Sequence, residues 1–141
     1  MGTGIPANRG RVLGGAGMVG IGQAPQQAGP ARGDIHFVVF PDVGGNVIRG
    51  PNPGVVVQAD RMRRSSTVVV VPLTSAARAA NFHPPFLVQV SGREAGLPRD
   101  GWAKCDQPMT LPTSMLGPIA GRLSPDAIAR LDDALRFVLG L

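Results

Sequence analysis

The nine residues Thr67-Val68-Val69-Val70-Val71-Pro72-Leu73-Thr74-Ser75 decide the fold class of this 141-residue chain. Four consecutive valines make a β-branched run with no polar alternation, the pattern of a strand covered on both faces. Such a strand belongs at the centre of a sheet, not at its edge. Pro72 has no N–H to give to a ladder, so regular pairing is expected to stop or bulge there. Leu73, Thr74 and Ser75 then leave the core, which sets two hydroxyls at the mouth of a rigid strand. An active site is expected beside Thr74.

Working outward, Asp34 to Phe40 reads as a strand with Ile35, Phe37 and Val39 on one face. His36 falls on the other face, where a partly buried structural role is expected for it. Pro41 to Asn52 is a twelve-residue loop rich in glycine, long enough to carry function. Pro53 opens a second strand, Gly54 to Ala59. Asp60 to Ser66 turns back with Arg61, Arg63 and Arg64 exposed to solvent. On the far side, Ser75 to Pro85 reads as a linker, Phe86 to Val90 as a strand and Gly92 to Gly101 as a turn region. Trp102 to Gln107 alternates like a strand ended by Pro108, with Lys104 and Asp106 sharing one face. The C-terminal segment is a helix: Ser124 is its N-cap, Pro125 fits the first turn and Asp126 the positive end of the dipole. Ile128, Leu131, Leu135 and Val138 form its apolar stripe, and Gly140 its stop. Five or six short strands, one long early loop and a terminal amphipathic helix predict a mainly β protein, a small SH3-like barrel.

Composition narrows the function. Net charge is +5, and 13 of the 14 basic residues are arginine, with Lys104 the exception. Guanidinium groups bond phosphate bidentately, so this balance permits a nucleic-acid partner without establishing one. The lone Cys105 rules out an internal disulfide and fits a reducing compartment. No apolar run approaches the ~18 residues of a membrane span, and no apolar stretch follows Arg9 and Arg11 as in a signal peptide. A cytoplasmic protein is expected, with no membrane association.

Residues 1–31 hold nine of the 20 glycines and no acidic residue. So little apolar surface predicts a flexible extension ahead of one domain over 32–141. Gly15-Ala16-Gly17-Met18-Val19-Gly20 spells the dinucleotide fingerprint, but no strand precedes it, and Gly22 and Pro25 block the helix that would hold a pyrophosphate. No nucleotide site is expected there.

Six further pieces occur in order. They are Arg32-Gly33-Asp34-Ile35, Pro53-Gly54-Val55-Val56-Val57, Val71 to Ser75, Gly96-Leu97-Pro98-Arg99-Asp100, Cys105-Asp106-Gln107-Pro108 and Gly121-Arg122-Leu123-Ser124-Pro125. With these, the chain from Arg32 to Leu141 resembles the MazF/PemK/Kid toxins of bacterial type II toxin–antitoxin pairs. The resemblance implies a CcdB/MazF/PemK-like barrel with a C-terminal α-helix. It also implies a homodimeric, metal-independent endoribonuclease that cuts single-stranded RNA at short sequences, needs no cofactor and is neutralised by a MazE-like antitoxin peptide. A disordered peptide that folds on binding wraps a large surface in this way.

Cutting RNA without metal uses the adjacent 2′-hydroxyl as nucleophile and leaves a cyclic phosphate and a 5′-hydroxyl. A general base must take that proton, and a donor must stabilise the charge growing on the phosphate oxygens. By resemblance, Thr74 matches the active-site threonine, Asp106 a carboxylate proposed as base, and Arg49 a basic position of the long loop. Asn52, Ser75, Arg78, His83, Lys104 and Gln107 are the expected RNA-binding residues. Phe82, His83 and arginine planes are the available stacking surfaces for bases. The chain departs from the family pattern where Asn52 stands for an arginine and Val47 for a glutamate. Two alternatives follow: a MazF-like protein that binds RNA or antitoxin without cutting, and a CcdB-like toxin directed at gyrase.

Overall fold

The computed structural model describes residues 29–75 and 84–141. Its strands are β1 (Asp34–Phe40), β2 (Gly50–Val56), β3 (Thr67–Thr74), β4 (Leu87–Val90), β5 (Gly101–Lys104), β6 (Met109–Pro112) and β7 (Leu116–Arg122). Its α-helices are the single turn α1 (Gly92–Ala95) and the terminal α2 (Pro125–Leu139). The strands form one antiparallel sheet in the order β4-β5-β3-β2-β1-β7, with β6 pairing β3 beside that path. The architecture is mainly β with a C-terminal helix, as expected. The sheet does not close into a complete barrel: β4 and β7 stand at its two ends.

β3 is the central strand because it serves two cores at once. Val71 and Leu73 belong to a cluster with Ile35, Val55, Val88, Ala103, Leu123 just ahead of α2, and the buried side of α2, namely Ala127, Leu131 and Ala134. Val68 and Val70 belong to a second cluster with Val38, Phe40, Val56 and Leu111. Alternate residues of a strand face opposite ways. The unbroken valine run therefore fills both clusters, each fully buried side chain contributing roughly 1.5–3 kcal/mol.

Pairing with β2 does end at Pro72, which faces Gly54, but the strand continues. On its other side β6 covers Thr67 to Val70, and β5 takes over at Leu73 and Thr74. Pro72 lies in the gap between those two partners, where no donor is required of it.

Four expectations are corrected. The β1 face of Ile35, Phe37 and Val39 is not a core face throughout: Ile35 is buried, but Phe37 and Val39 are 47% and 67% exposed. β1 pairs β2 in unbroken register from Ile35 to Phe40, so Val38 and Phe40 face the opposite way from Ile35 and fill the second cluster; the register shifts against β7 lie in β7. The second strand starts at Gly50, not at Gly54, and ends at Val56. A ladder tolerates Pro51 and Pro53 only where their missing donors face an unpaired side, and β3 joins β2 only from Gly54 onward. β5 stops at Lys104, where the Gln107 amide donates to the Lys104 carbonyl and closes a turn. Asp106 therefore does not share a strand face with Lys104. Within Gly92–Gly101, α1 forms because the Ser91 hydroxyl accepts from the Glu94 amide at 3.3 Å, the first half of a capping box.

The terminal helix matches its signals. Ser124 accepts from the Ala127 amide at 3.2 Å, Pro125 opens the helix and Gly140 ends it at φ 72°. Leu131 is buried, while Ile128, Leu135 and Val138 pack partly buried against the first cluster. His36 is structural, as expected: its Nδ1 donates to the Gly117 carbonyl at 2.9 Å and pins β7 to β1. The candidate fingerprint at Gly15–Gly20 and the bulk of the 1–31 extension lie outside the described residues. At its end, the Ala31 amide donates to Asp34 and the Gly29 carbonyl accepts from Arg63.

Cys105 is fully buried in the first cluster. Desolvation, with the Asp106 charge second, pushes its thiol up from 9.0 to about 12. The folded chain keeps this proton where the unfolded chain releases it. Stability is therefore unaffected below about pH 8 and falls as pH rises towards 12, by at most ~1.4 kcal/mol per unit. The chain has no tyrosine and one lysine, so few other groups titrate in this window. Urea midpoints at pH 8 and pH 10 are expected to differ for the wild type and to converge for Cys105→Ala. An equal loss in both proteins would assign the effect to other groups.

Candidate active site

Thr74 ends β3 and is half-buried; its direct partner on β5 is Trp102. Continuing the β2–β3 register two residues past Gly54 and Pro72 sets Asn52 across from Thr74, where the strands have parted. Paired residues share a face, so Asn52 and Thr74 open on the side of the sheet that holds Val38, Val70 and Phe40. They form the mouth of the second cluster.

The loop from 41 to 49 approaches this mouth, turning through Gly44 (φ 88°) and Gly45 (φ 60°), which accept that left-handed backbone at no steric cost. Gln107 ties it down: its Oε1 accepts from the Ile48 amide at 2.9 Å, and its Nε2 donates to the Asn46 carbonyl at 3.0 Å. Ile48 is thereby held against the second cluster. The Asn52 side-chain amide donates to the carbonyls of Arg49 at 3.1 Å and Gly50 at 3.4 Å, fixing the other end of the loop. Arg49 is exposed, donates to the Gly45 carbonyl at 3.4 Å and lies 3.9 Å from the Asp42 carboxylate.

Asp106 is exposed in the turn that Gln107 closes, so the clamp joins the carboxylate's turn to the arginine's loop. Lys104 ends β5 two residues beyond Trp102 on the same face. Ser75 follows Thr74 and is exposed. Thr74, Asn52 and Lys104 thus share one face, and Gln107 brings the loop of Arg49 to the turn of Asp106. Arg78, His83 and Phe82 lie outside the described residues. Sequence reasoning took Gln107 and Asn52 as RNA contacts and did not find that they clamp the loop; an amide's choice of backbone partner has no signature in the chain. Nor did it place Trp102 beside Thr74. Among the described residues, no three His, Cys, Asp or Glu side chains are grouped to hold a metal ion.

With this geometry in hand, likeness to known proteins carries further. Residues 31–139 match the family described as PemK-like, MazF-like toxin of type II toxin–antitoxin system. Endoribonuclease MazF9 of Mycobacterium tuberculosis is 34% identical over 116 residues, covering 78% of this chain and 96% of that relative. Endoribonuclease EndoA of Bacillus subtilis is 28% identical over 111 residues, covering 78% and 94%. A solved endoribonuclease in complex with its cognate antitoxin, from a mycobacterial species, superposes with a TM-score of 0.63 at 27% identity, covering 79% of this chain and 96% of that one.

Proposed function

The chain belongs to the PemK-like, MazF-like toxin family of type II toxin–antitoxin systems, and from that premise we propose that it is an endoribonuclease toxin cutting single-stranded RNA. The 2′-hydroxyl at the cleaved step attacks the adjacent phosphorus and the bond to the 5′-oxygen breaks. Asp106 takes the 2′ proton, and the departing 5′-oxygen takes one from solvent. Thr74 donates to a phosphate oxygen as charge develops on it, and Arg49 supplies the cation. Lys104, Ser75, Asn52 and Gln107 line the path of the strand or hold its walls, and Arg78 and His83 are further RNA-binding residues of this reading. The products are a cyclic phosphate and a 5′-hydroxyl.

The observation that carries this reading is the Gln107 clamp. One side chain sets the loop of the candidate cation against the turn of the candidate base, alongside Val71 and Pro72 of β3. A site assembled from three separate elements of a rigid sheet keeps reacting groups in register.

The protein works as a homodimer in the cytoplasm and is silenced by a MazE-like antitoxin segment laid over the RNA site. The toxin domain of this reading spans residues 32–141. No described helix is long and apolar enough to cross a membrane.

Purified protein incubated with mixed RNA in excess EDTA is expected to yield fragments with 5′-hydroxyl ends at a short recurrent sequence. Intact RNA under those conditions, with binding retained, would instead favour the non-cutting binder, for which Asn52 at the family's arginine position is the supporting observation.

A further inference from the structure

We propose that Trp102 is a base-stacking platform beside Thr74 and that Gln89 reads the edge of the stacked base. The proposal deepens the RNA-cleaving reading by naming a residue that selects the nucleotide at the cut.

Thr74, Trp102 and Gln89 are directly paired across β3, β5 and β4, so their side chains form one row on one face of the sheet. The core residues of those strands, Leu73, Ala103, Val88 and Val90, point the other way into the first cluster. Trp102 is half-buried and belongs to neither apolar cluster, so among the described residues its indole is not core filling. Gln89 is exposed, and its neighbour Val88 is buried.

The row has the chemistry of a nucleotide subsite. A phosphate held at Thr74 brings the base of the same or the next nucleotide over the adjoining indole, since directly paired side chains stand ~5 Å apart at Cβ. Every base has a π-face to stack, and indole is the largest aromatic surface available. Gln89, on the far side of Trp102, offers an amide donor and acceptor to a splayed base edge. Lys104 lies on the same face two residues along β5 and meets the backbone. None of these side chains is acidic.

Trp102 is the only tryptophan in the chain, so its fluorescence reports on this spot alone. Wild-type protein is titrated with a mixed-sequence RNA pool carrying 2′-O-methyl groups throughout, which removes the nucleophile and leaves the bases. The expected result is saturable quenching; an abasic backbone of equal length binds without it. Trp102→Leu should bind the pool about 5- to 150-fold more weakly, and Trp102→Phe should stay within about 3-fold of wild type. Saturable binding of the pool with unchanged wild-type fluorescence would overturn the proposal, and so would no binding at all. This holds even where Trp102→Leu does not fold. Quenching by an acidic peptide and not by the pool would also overturn it, making the row a protein-docking surface. Cleavage in EDTA without quenching removes the platform and keeps the nuclease. Quenching without cleavage keeps the platform and removes the nuclease.

Discussion

Thr74→Ala lowers RNA cleavage by roughly 10²–10³-fold and leaves the fold intact. That is the usual cost of removing one well-placed donor to a developing oxyanion. The fold survives because Thr74 ends β3 and is only half-buried, with the core packing of the strand set earlier by Val68, Val70, Val71 and Leu73. RNA affinity falls less than rate, because phosphate contacts spread over several cations carry much of the binding. Initial rates and equilibrium binding on the same substrate, together with a urea midpoint, separate the three quantities. Unchanged cleavage by the purified variant would remove Thr74 from the chemistry.

The second large effect belongs to Arg49. With asparagine at the family's arginine position, either the site has lost its main cation or Arg49 supplies it from three residues away. The second account predicts that Arg49→Ala slows cleavage by about 10- to 100-fold, roughly 1.4–2.7 kcal/mol of barrier. It also predicts that Asn52→Arg fails to accelerate the reaction, for a reason visible in the structure. The Asn52 amide holds the carbonyls of Arg49 and Gly50, so replacing it loosens the loop that carries Arg49. Asn52→Ala isolates that clamp and should slow cleavage with no second cation present. A 10-fold or greater gain in Asn52→Arg would show instead that the site lacked its cation. Wild-type rates in both Arg49→Ala and Asn52→Arg would place the chemistry elsewhere.

These variants probe contacts that the chain conceals to different degrees. The valine run announced a strand covered on both faces because β-branched residues without polar alternation have no other place to go. The terminal helix was legible down to its caps, since Ser124, Pro125 and Gly140 act on their own neighbours. β6 and β7 escaped notice: Met109–Pro112 is short and ends in proline, and Leu116–Arg122 holds Gly117, Pro118 and Gly121. β7 shows no period-2 pattern and the alternation of β6 is too short to stand out, so each becomes a strand through the partner it pairs with. Trp102 to Gln107 failed in the opposite way. Its alternation continued past Lys104, but the turn closed by Gln107 ended the strand there.

By itself, then, the sequence determined the central strand, the capped helix, the long loop, the family likeness and Thr74 as the residue to watch. All of these rest on local preference or on residues read in order. Only the tertiary structure decided that Gln107 and Asn52 clamp the loop, that β1 changes its buried face after Ile35, and that Trp102 stands directly across from Thr74. Those facts depend on strand register and on partners far apart in the chain. A shift of one residue turns every side chain to the opposite face, and no local pattern encodes that choice.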